Sequence, residues 1–313
     1  MAWKVLISAP YMLPVAGRFA GFFADNGIET VLADVTERLE EKDLLDIIAD
    51  FDGIICGDDR ITARVMDGAP KLKVISKWGT GIDSIDSAAA AERKIMVCRT
   101  LDAFTRPVAD SVIGYVLSFA RRLPWMDSQM KQGVWDKIPG QALNECTLGV
   151  IGVGCVGSAV LRRAKAFSMT LLGNDIRQID PALIGETGVR MTEKEELLAE
   201  ADFVCLGCDL NPTSHHLMGE PQFRAMKETA VLVNAARGPL VDEKALVRAL
   251  EDGWIAGAGL DVFEEEPLPE NSPLLKMDNV MLAPHNANSS PQDWERVHWS
   301  TLNHLLDGLK AGR

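Results

Sequence analysis

Three apolar runs in the second half of the chain each break off near a residue that can do chemistry. VLVNAA runs into Arg237, GAGLDVF into an acidic triplet ending at Glu266, and VMLAP into His285, one of only five histidines. An imidazolium can deliver a proton to a nascent alkoxide near neutral pH. A neighbouring carboxylate stabilises the imidazolium and holds its tautomer. A guanidinium grips a carboxylate through two parallel hydrogen bonds and polarises an adjacent carbonyl, which a lysine ammonium cannot match. These residue types suit reduction of a 2-keto acid. The plain alternative for His285 is a satisfied histidine closing a core strand.

Hydride chemistry needs a carrier, and GVIGVGCVGSAVLRRAKAF has the form of a carrier site. Gly152-x-Gly154-x-x-Gly157 follows a strand and opens a helix, and the next strand, MTLLGND, ends at Asp175, eighteen residues past Gly157. Gly152 suits a tight turn, Gly154 a close approach of backbone to a pyrophosphate, and Gly157 close helix packing. The N–H groups of Cys155 and Val156 fall at the helix N-terminus, where they carry partial positive charge. Asp175 suits the adenosine ribose hydroxyls and repels a 2′-phosphate, which favours NAD over NADP. Arg177 is the one nearby cation that softens this preference.

Short β-rich runs alternate with helical patterns almost throughout. KVLISA, ETVLAD, DGIICG, KLKVISK and KIMVCR form one set. TLGVIGVG, MTLLGND, FVCLGC, AVLVNAA, AGAGLDV and NVMLAPH form another. Strands apolar on both faces and separated by helices imply parallel sheets covered on both sides. The fold class is therefore α/β, with two doubly wound parallel-sheet domains. PVAGRFAGFFADNG reads as a helix ending at Gly27, and VDEKALVRALEDG as one ending at Gly253. LDAFTRP interrupts the pattern between the sets. VADSVIGYVLSFARRLPWM follows as one long helix with Val108, Val112, Tyr115, Val116 and Phe119 on a buried face, compatible with a dimer interface. PQDWERVHWSTLNHLLDGLKAG is a last helix that packs back on the first domain. The expected domains are 1–102 plus 287–313, and 103–286.

A length of 313 residues accommodates two such domains, and a net charge of −13 argues against a nucleic-acid partner. No apolar run approaches the roughly 18 residues that span a bilayer, so no membrane partner is expected. The N-terminus has no signal-peptide pattern, and the last residues match no lipidation or retrieval signal. The six cysteines, several inside apolar runs, suit a cytoplasmic, reducing compartment. Cys205-x-x-Cys208 near His215 and His216 invites a zinc or redox reading. FVCLGC is a strand end, however, and no second ligand pair of finger spacing follows, so no metal is expected.

VLVNAARGPLVDEKAL, GAGLDVFEEEP and VMLAPHNANSS, in that order, closely resemble the D-isomer-specific 2-hydroxyacid dehydrogenase family. KWGTGIDSID, PVADSVIGYVLSFARR and the glycine fingerprint extend the resemblance over nearly the whole chain. It implies a flavodoxin-like substrate domain, a Rossmann NAD-binding domain and a homodimer. It also implies that Arg237, His285 and the glutamate before proline, Glu266 and not Glu264 or Glu265, are catalytic. The backbone of Gly79, Thr80 and Gly81 would hold the substrate carboxylate. Ala235, Ala236, Asp261 and the stretch from His285 through Asn286 to Asn288 would border the nicotinamide half of NAD. Asp261 could equally be a strand-end residue bonded to nearby backbone.

The chain also departs from the family. Gly207 and Asp209 stand where the family often has histidine and proline, and Thr100-Leu101-Asp102-Ala103-Phe104 replaces its usual boundary loop. Substrate identity therefore cannot be carried over. Lys77, Arg60 and Arg106 are cations suited to a second anionic group, such as the phosphate of D-3-phosphoglycerate; solvated surface charge is the plain alternative for Arg60 and Arg106, whereas Lys77, inside an apolar run before the glycines, favours a functional role. The expected activity is NAD-dependent interconversion of a D-2-hydroxy acid and its 2-keto acid, with a D-3-phosphoglycerate dehydrogenase-like reaction first and a glyoxylate/hydroxypyruvate reductase as the alternative. A non-catalytic NAD(H)-sensing scaffold on the same fold is the alternative of another class, and formate or phosphite oxidation a third reading.

Overall fold

Every apolar run named above forms a strand in the computed structural model, which describes residues 2–311. In the first unit, β1 (Trp3–Ile7), β2 (Ile28–Leu32), β3 (Gly53–Cys56), β4 (Val74–Lys77) and β5 (Met96–Cys98) make a five-stranded parallel sheet ordered β2-β1-β3-β4-β5. This is the flavodoxin-like order. Apolar side chains fill both of its faces, one cluster around Ile7, Ile55 and Leu305, the other around Leu6, Ile54 and Ile75. The C-terminal helix Pro291–Ala311 packs on β3, β4 and β5 of this sheet, as expected from its apolar stripe.

The second unit holds β6 (Thr147–Ile151), β7 (Thr170–Asn174), β8 (Arg190–Met191), β9 (Phe203–Leu206), β10 (Val231–Asn234), β11 (Gly257–Leu260) and β12 (Val280–Leu282). Their order, β12-β11-β10-β9-β6-β7-β8, is all parallel and reverses direction at β6. That is the Rossmann order with an added strand, and the reversal point is where such sheets bind ligands. β8 was not visible in the sequence because a two-residue edge strand carries no periodicity.

The units divide at Phe104/Thr105 and Ser289/Ser290. Residues 103–104 and 287–289 thus lie across the boundary from the sequence expectation. The cause is local: Ala103 is buried in the first unit's core, whereas Ala287 is tied by its N–H to Asp261. The single long helix expected from VADSVIGYVLSFARRLPWM is two helices, Thr105–Arg121 and Leu123–Lys131, because Arg122 is left-handed (φ 56°) ahead of Pro124. Of its expected buried face, Val112, Tyr115, Val116 and Phe119 are buried and Val108 is half-buried. PVAGRFAGFFADNG begins as a 3₁₀ helix (Leu13–Phe19) and becomes α-helical only over Ala20–Asp25, with Gly27 left-handed beyond it. No helix among the described residues is long and apolar enough to cross a membrane.

Candidate active site

The last residues of β10, β11 and β12 (Asn234, Leu260 and Leu282) are register partners. The segments that follow therefore leave the same, carboxyl, end of the sheet. After β12, the N–H of His285 donates to Asp261 O at 2.7 Å. The Asp261 carboxylate in turn accepts from the N–H groups of Asn286 (3.0 Å) and Ala287 (2.9 Å). These bonds hold His285 in the left-handed region at φ 50°, a conformation a non-glycine residue keeps only when its surroundings enforce it. Burial pushes the Asp261 carboxyl above its ordinary range, against those two N–H groups and His285, which pull it down. Asp261 is thus bonded to nearby backbone, the second of the two readings its sequence position allowed.

His285 Nδ1 lies 2.9 Å from Glu266 Oε2, and Glu266 Oε1 accepts the Phe263 N–H at 2.9 Å. Both carboxylate oxygens are therefore committed, one to aiming the side chain and one to the imidazole. Glu264 turns elsewhere, to His216 Nε2 and to the N–H of Glu243, and Glu265 is exposed. Among the triplet, Glu266 is the acid that meets the histidine.

Arg237 leaves β10 in extended conformation, with Nη1 donating to Ala236 O at 2.9 Å. Two residues whose roles the sequence did not reveal set its position. Asn234, 1% exposed, donates from Nδ2 to Arg237 O and accepts the Ala236 N–H, closing the loop on itself. Gly238 lets that loop touch the Glu266 segment, since a Cβ there would stand 1.8 Å from Phe263 O. A polar residue ending an otherwise apolar strand was the available signal for Asn234.

At the reversal point of the sheet, the glycine turn follows β6. Gly152 has φ 93°, and a Cβ on it would lie 2.3 Å from the backbone nitrogen of Cys208; one on Gly157 would lie 2.1 Å from Gly152 O. Between them Gly154 caps the helix Cys155–Ala166, and among the described residues beyond its chain neighbours its would-be Cβ meets Arg177 Nη2, at 3.7 Å. The turn leaves a cradle that a side chain at 154 would fill, while the first N–H groups of the helix, including those of Cys155 and Val156, have no intrahelical acceptor. Asp175 follows β7, with Oδ2 accepting the Val153 N–H and Oδ1 the Arg177 N–H, both at 2.8 Å. Burial raises its pKa, but the Arg177 guanidinium and these two N–H groups outweigh burial and hold the carboxyl below its ordinary value. An ionised acid, a turn with no side chain at Gly154 and a helix N-terminus fit the ribose and pyrophosphate of NAD. Ala235, Ala236 and Asn288 are half-buried, and Asn286 is exposed, on the loops after β10 and β12.

In the first unit, β4 leads into Gly79, Thr80 and Gly81. Gly79 has φ 121°, its carbonyl accepts the Thr100 N–H, and Thr80 Oγ1 donates to Thr100 O at 2.9 Å. Lys77 is 3% exposed and its ammonium lies 2.7 Å from Asp58 Oδ1. Its charge is therefore already matched. Arg60 is half-buried and Arg106 exposed. Of the remaining histidines, His298 is buried and accepts the Trp78 Nε1–H at 2.9 Å, a core role. Cys205 is buried within β9, with its thiol pushed up by burial, and burial raises Cys208 to about 11.

Residues 113–287 match the model of the D-isomer specific 2-hydroxyacid dehydrogenase family, in its NAD-binding domain. The chain belongs to this family. It is 42% identical to a glyoxylate reductase of Korarchaeum cryptofilum, over 85% of this chain and 82% of that one. It is 41% identical to a D-3-phosphoglycerate dehydrogenase of Methanocaldococcus jannaschii, over 83% of this chain but 50% of that one. It superposes on D-lactate dehydrogenase of Aquifex aeolicus, solved with NAD and lactic acid, with TM-score 0.85 and 26% identity, covering 96% of this chain and 93% of that one. This 2-hydroxyacid dehydrogenase is an NAD-dependent oxidoreductase acting on CH–OH groups.

Proposed function

We propose that the chain reduces a small, unphosphorylated 2-keto acid of the glyoxylate or hydroxypyruvate kind, with Arg237, Glu266 and His285 as its catalytic residues. Bound NADH supplies the hydride. His285, carrying its second ring proton at Nε2, donates that proton to the carbonyl oxygen as it becomes a hydroxyl. Glu266 on Nδ1 stabilises the imidazolium and fixes which nitrogen faces the reaction. Arg237 grips the carboxylate of the keto acid and draws charge from its carbonyl. The turn Gly79–Gly81 offers backbone N–H groups to a carboxylate. Asp175, Gly152, Gly154, Cys155, Val156 and Gly157 hold the adenosine and pyrophosphate. Ala235, Ala236, Asn286 and Asn288 border the nicotinamide half, and Asp261 supports that border through the His285 loop.

The single observation that carries the catalytic reading is the contact of 2.9 Å between His285 Nδ1 and Glu266 Oε2, on an imidazole held left-handed at a strand end. A histidine that only closed a core strand would need neither feature. The choice of an unphosphorylated acid rests on Lys77, whose ammonium Asp58 neutralises. A homodimer is supported by the helix Leu123–Lys131, which buries no residue and exposes Leu123 and Met130, with Trp135 beyond it. Six free thiols, one of them exposed, suit the cytoplasm.

The test is NADH oxidation against glyoxylate, hydroxypyruvate, 3-phosphohydroxypyruvate and pyruvate, with His285→Ala alongside. The variant is expected to lose at least about a hundredfold in turnover while still binding NADH. Near-normal turnover in the variant would remove His285 from the chemistry. Preference for the phosphorylated acid would restore Lys77 and Arg60 to the site. NADH binding without turnover of any acid would favour an NAD-sensing scaffold.

A further inference from the structure

We propose that Arg177 exchanges partners when NAD binds, leaving Asp175 to become the cation for the cofactor pyrophosphate. The inference rests on Asp175 and the glycine turn as the NAD site. A carboxylate offers about four acceptor positions. On Asp175 two are taken at 2.8 Å by the backbone N–H groups of Val153 and Arg177, which the turn fixes in place. The other two are taken by the Arg177 side chain, Nε at 3.2 Å and Nη2 at 3.4 Å. Ribose hydroxyls can bind Asp175 only at the positions the guanidinium occupies. The Asp175 side chain is 4% exposed and that of Arg177 is 68% exposed, so Arg177 is the partner able to move.

Where it moves follows from the groups around it. Nη2 already stands 3.7 Å from the would-be Cβ of Gly154, the glycine of the fingerprint that is not crowded by backbone, unlike Gly152 and Gly157. Asp175 and Asp209 are the acids whose negative charge acts on Arg177. The pyrophosphate brings two negative charges next to two acids in a chain of net charge −13, and helix N–H groups carry only partial charge. A planar fork with donors to spare suits that need. Reading a 2′-phosphate would instead require the guanidinium to hold a dianion against the Asp175 carboxylate.

Isothermal titration with adenosine, ADP, NADH and NADPH, on the full chain and on Arg177→Ala and Arg177→Gln, separates these roles. Loss of the clamp is expected to weaken ADP and NADH by about tenfold or more, while adenosine binds as well as before or better, its competitor for Asp175 gone. The loss should shrink at high salt. Equal weakening of adenosine and ADP would mean that Arg177 only shapes Asp175. Weakening of NADPH alone would make it a 2′-phosphate reader, and no change in ADP would leave it a surface ion pair; each of these overturns the proposal. Asp175→Ala is the control for the underlying site: unaltered adenosine binding in that variant would defeat the site assignment itself, independently of Arg177.

Discussion

Gly238→Ala is the perturbation that most directly probes how the site is assembled. The added Cβ would stand 1.8 Å from Phe263 O, 1.9 Å from Phe263 C and 2.6 Å from Glu264 N. All three atoms are backbone, so no side chain can swing aside. Bringing the first contact beyond 3.0 Å requires the Arg237 and Glu266 segments to separate by at least about 1.2 Å. A misplacement of about 1 Å at reacting groups costs on the order of a hundredfold in rate. The same shift strains the local packing by about 1–3 kcal/mol. Keto-acid reduction should therefore lose about a hundredfold in kcat/KM, while NADH affinity, held in large part at the turn after β6, falls by much less than the rate. Steady-state kinetics, an NADH fluorescence titration and a thermal melt on one preparation measure all three. A folded variant with kcat/KM near that of the parent would refute the idea that this backbone contact aligns the catalytic groups.

Asn234→Ala removes two partly buried hydrogen bonds from the Arg237 loop, worth about 1–3 kcal/mol; about a tenfold lower kcat/KM is expected, and unchanged kinetics would mean the loop holds its shape unaided. Asp175→Ala should weaken NADH binding and make NADPH less disfavoured, as read from the ratio of their dissociation constants; an unchanged ratio would take Asp175 out of the ribose site. His298, buried against Trp78 and lowered in pKa chiefly by burial, resists protonation in the fold. Below the unfolded imidazole value of about 6.5, the unfolded chain binds a proton that the folded chain refuses, so this stability is present at neutral pH and lost on acidification. Between neutral pH and pH ~5, the first unit of His298→Asn should lose less stability to urea than the parent, and parallel losses would show that other groups dominate.

Much of this molecule was legible because its signals lie close together along the chain. Runs apolar on both faces, each followed by a helix, announce parallel sheets, since such strands are stable only when covered on both sides. The glycine turn and Asp175 belong to one βαβ unit, whose local geometry ties an eighteen-residue spacing to a single ligand. Arg237, Glu266 and His285 were visible as strand-end residues. Picking Glu266 from its triplet rested on family resemblance, and the fold adds a reason in its partners, Phe263 N–H and His285 Nδ1.

Pairings between distant segments could not be read this way, because nothing in a linear sequence records which charges cancel or which backbones touch. The sequence offers Lys77 as a phosphate ligand and holds no sign that the fold sets Asp58 against it. Gly238 and Phe263 share a contact only through the β10–β11 pairing, and Arg177 lies over Gly154 only because β7 ends beside β6. The sequence by itself determined the kind of chemistry and the carrier, through residue types and short spacings. Tertiary structure alone decided which charges remain available for that chemistry, since availability depends on the neighbours that folding supplies.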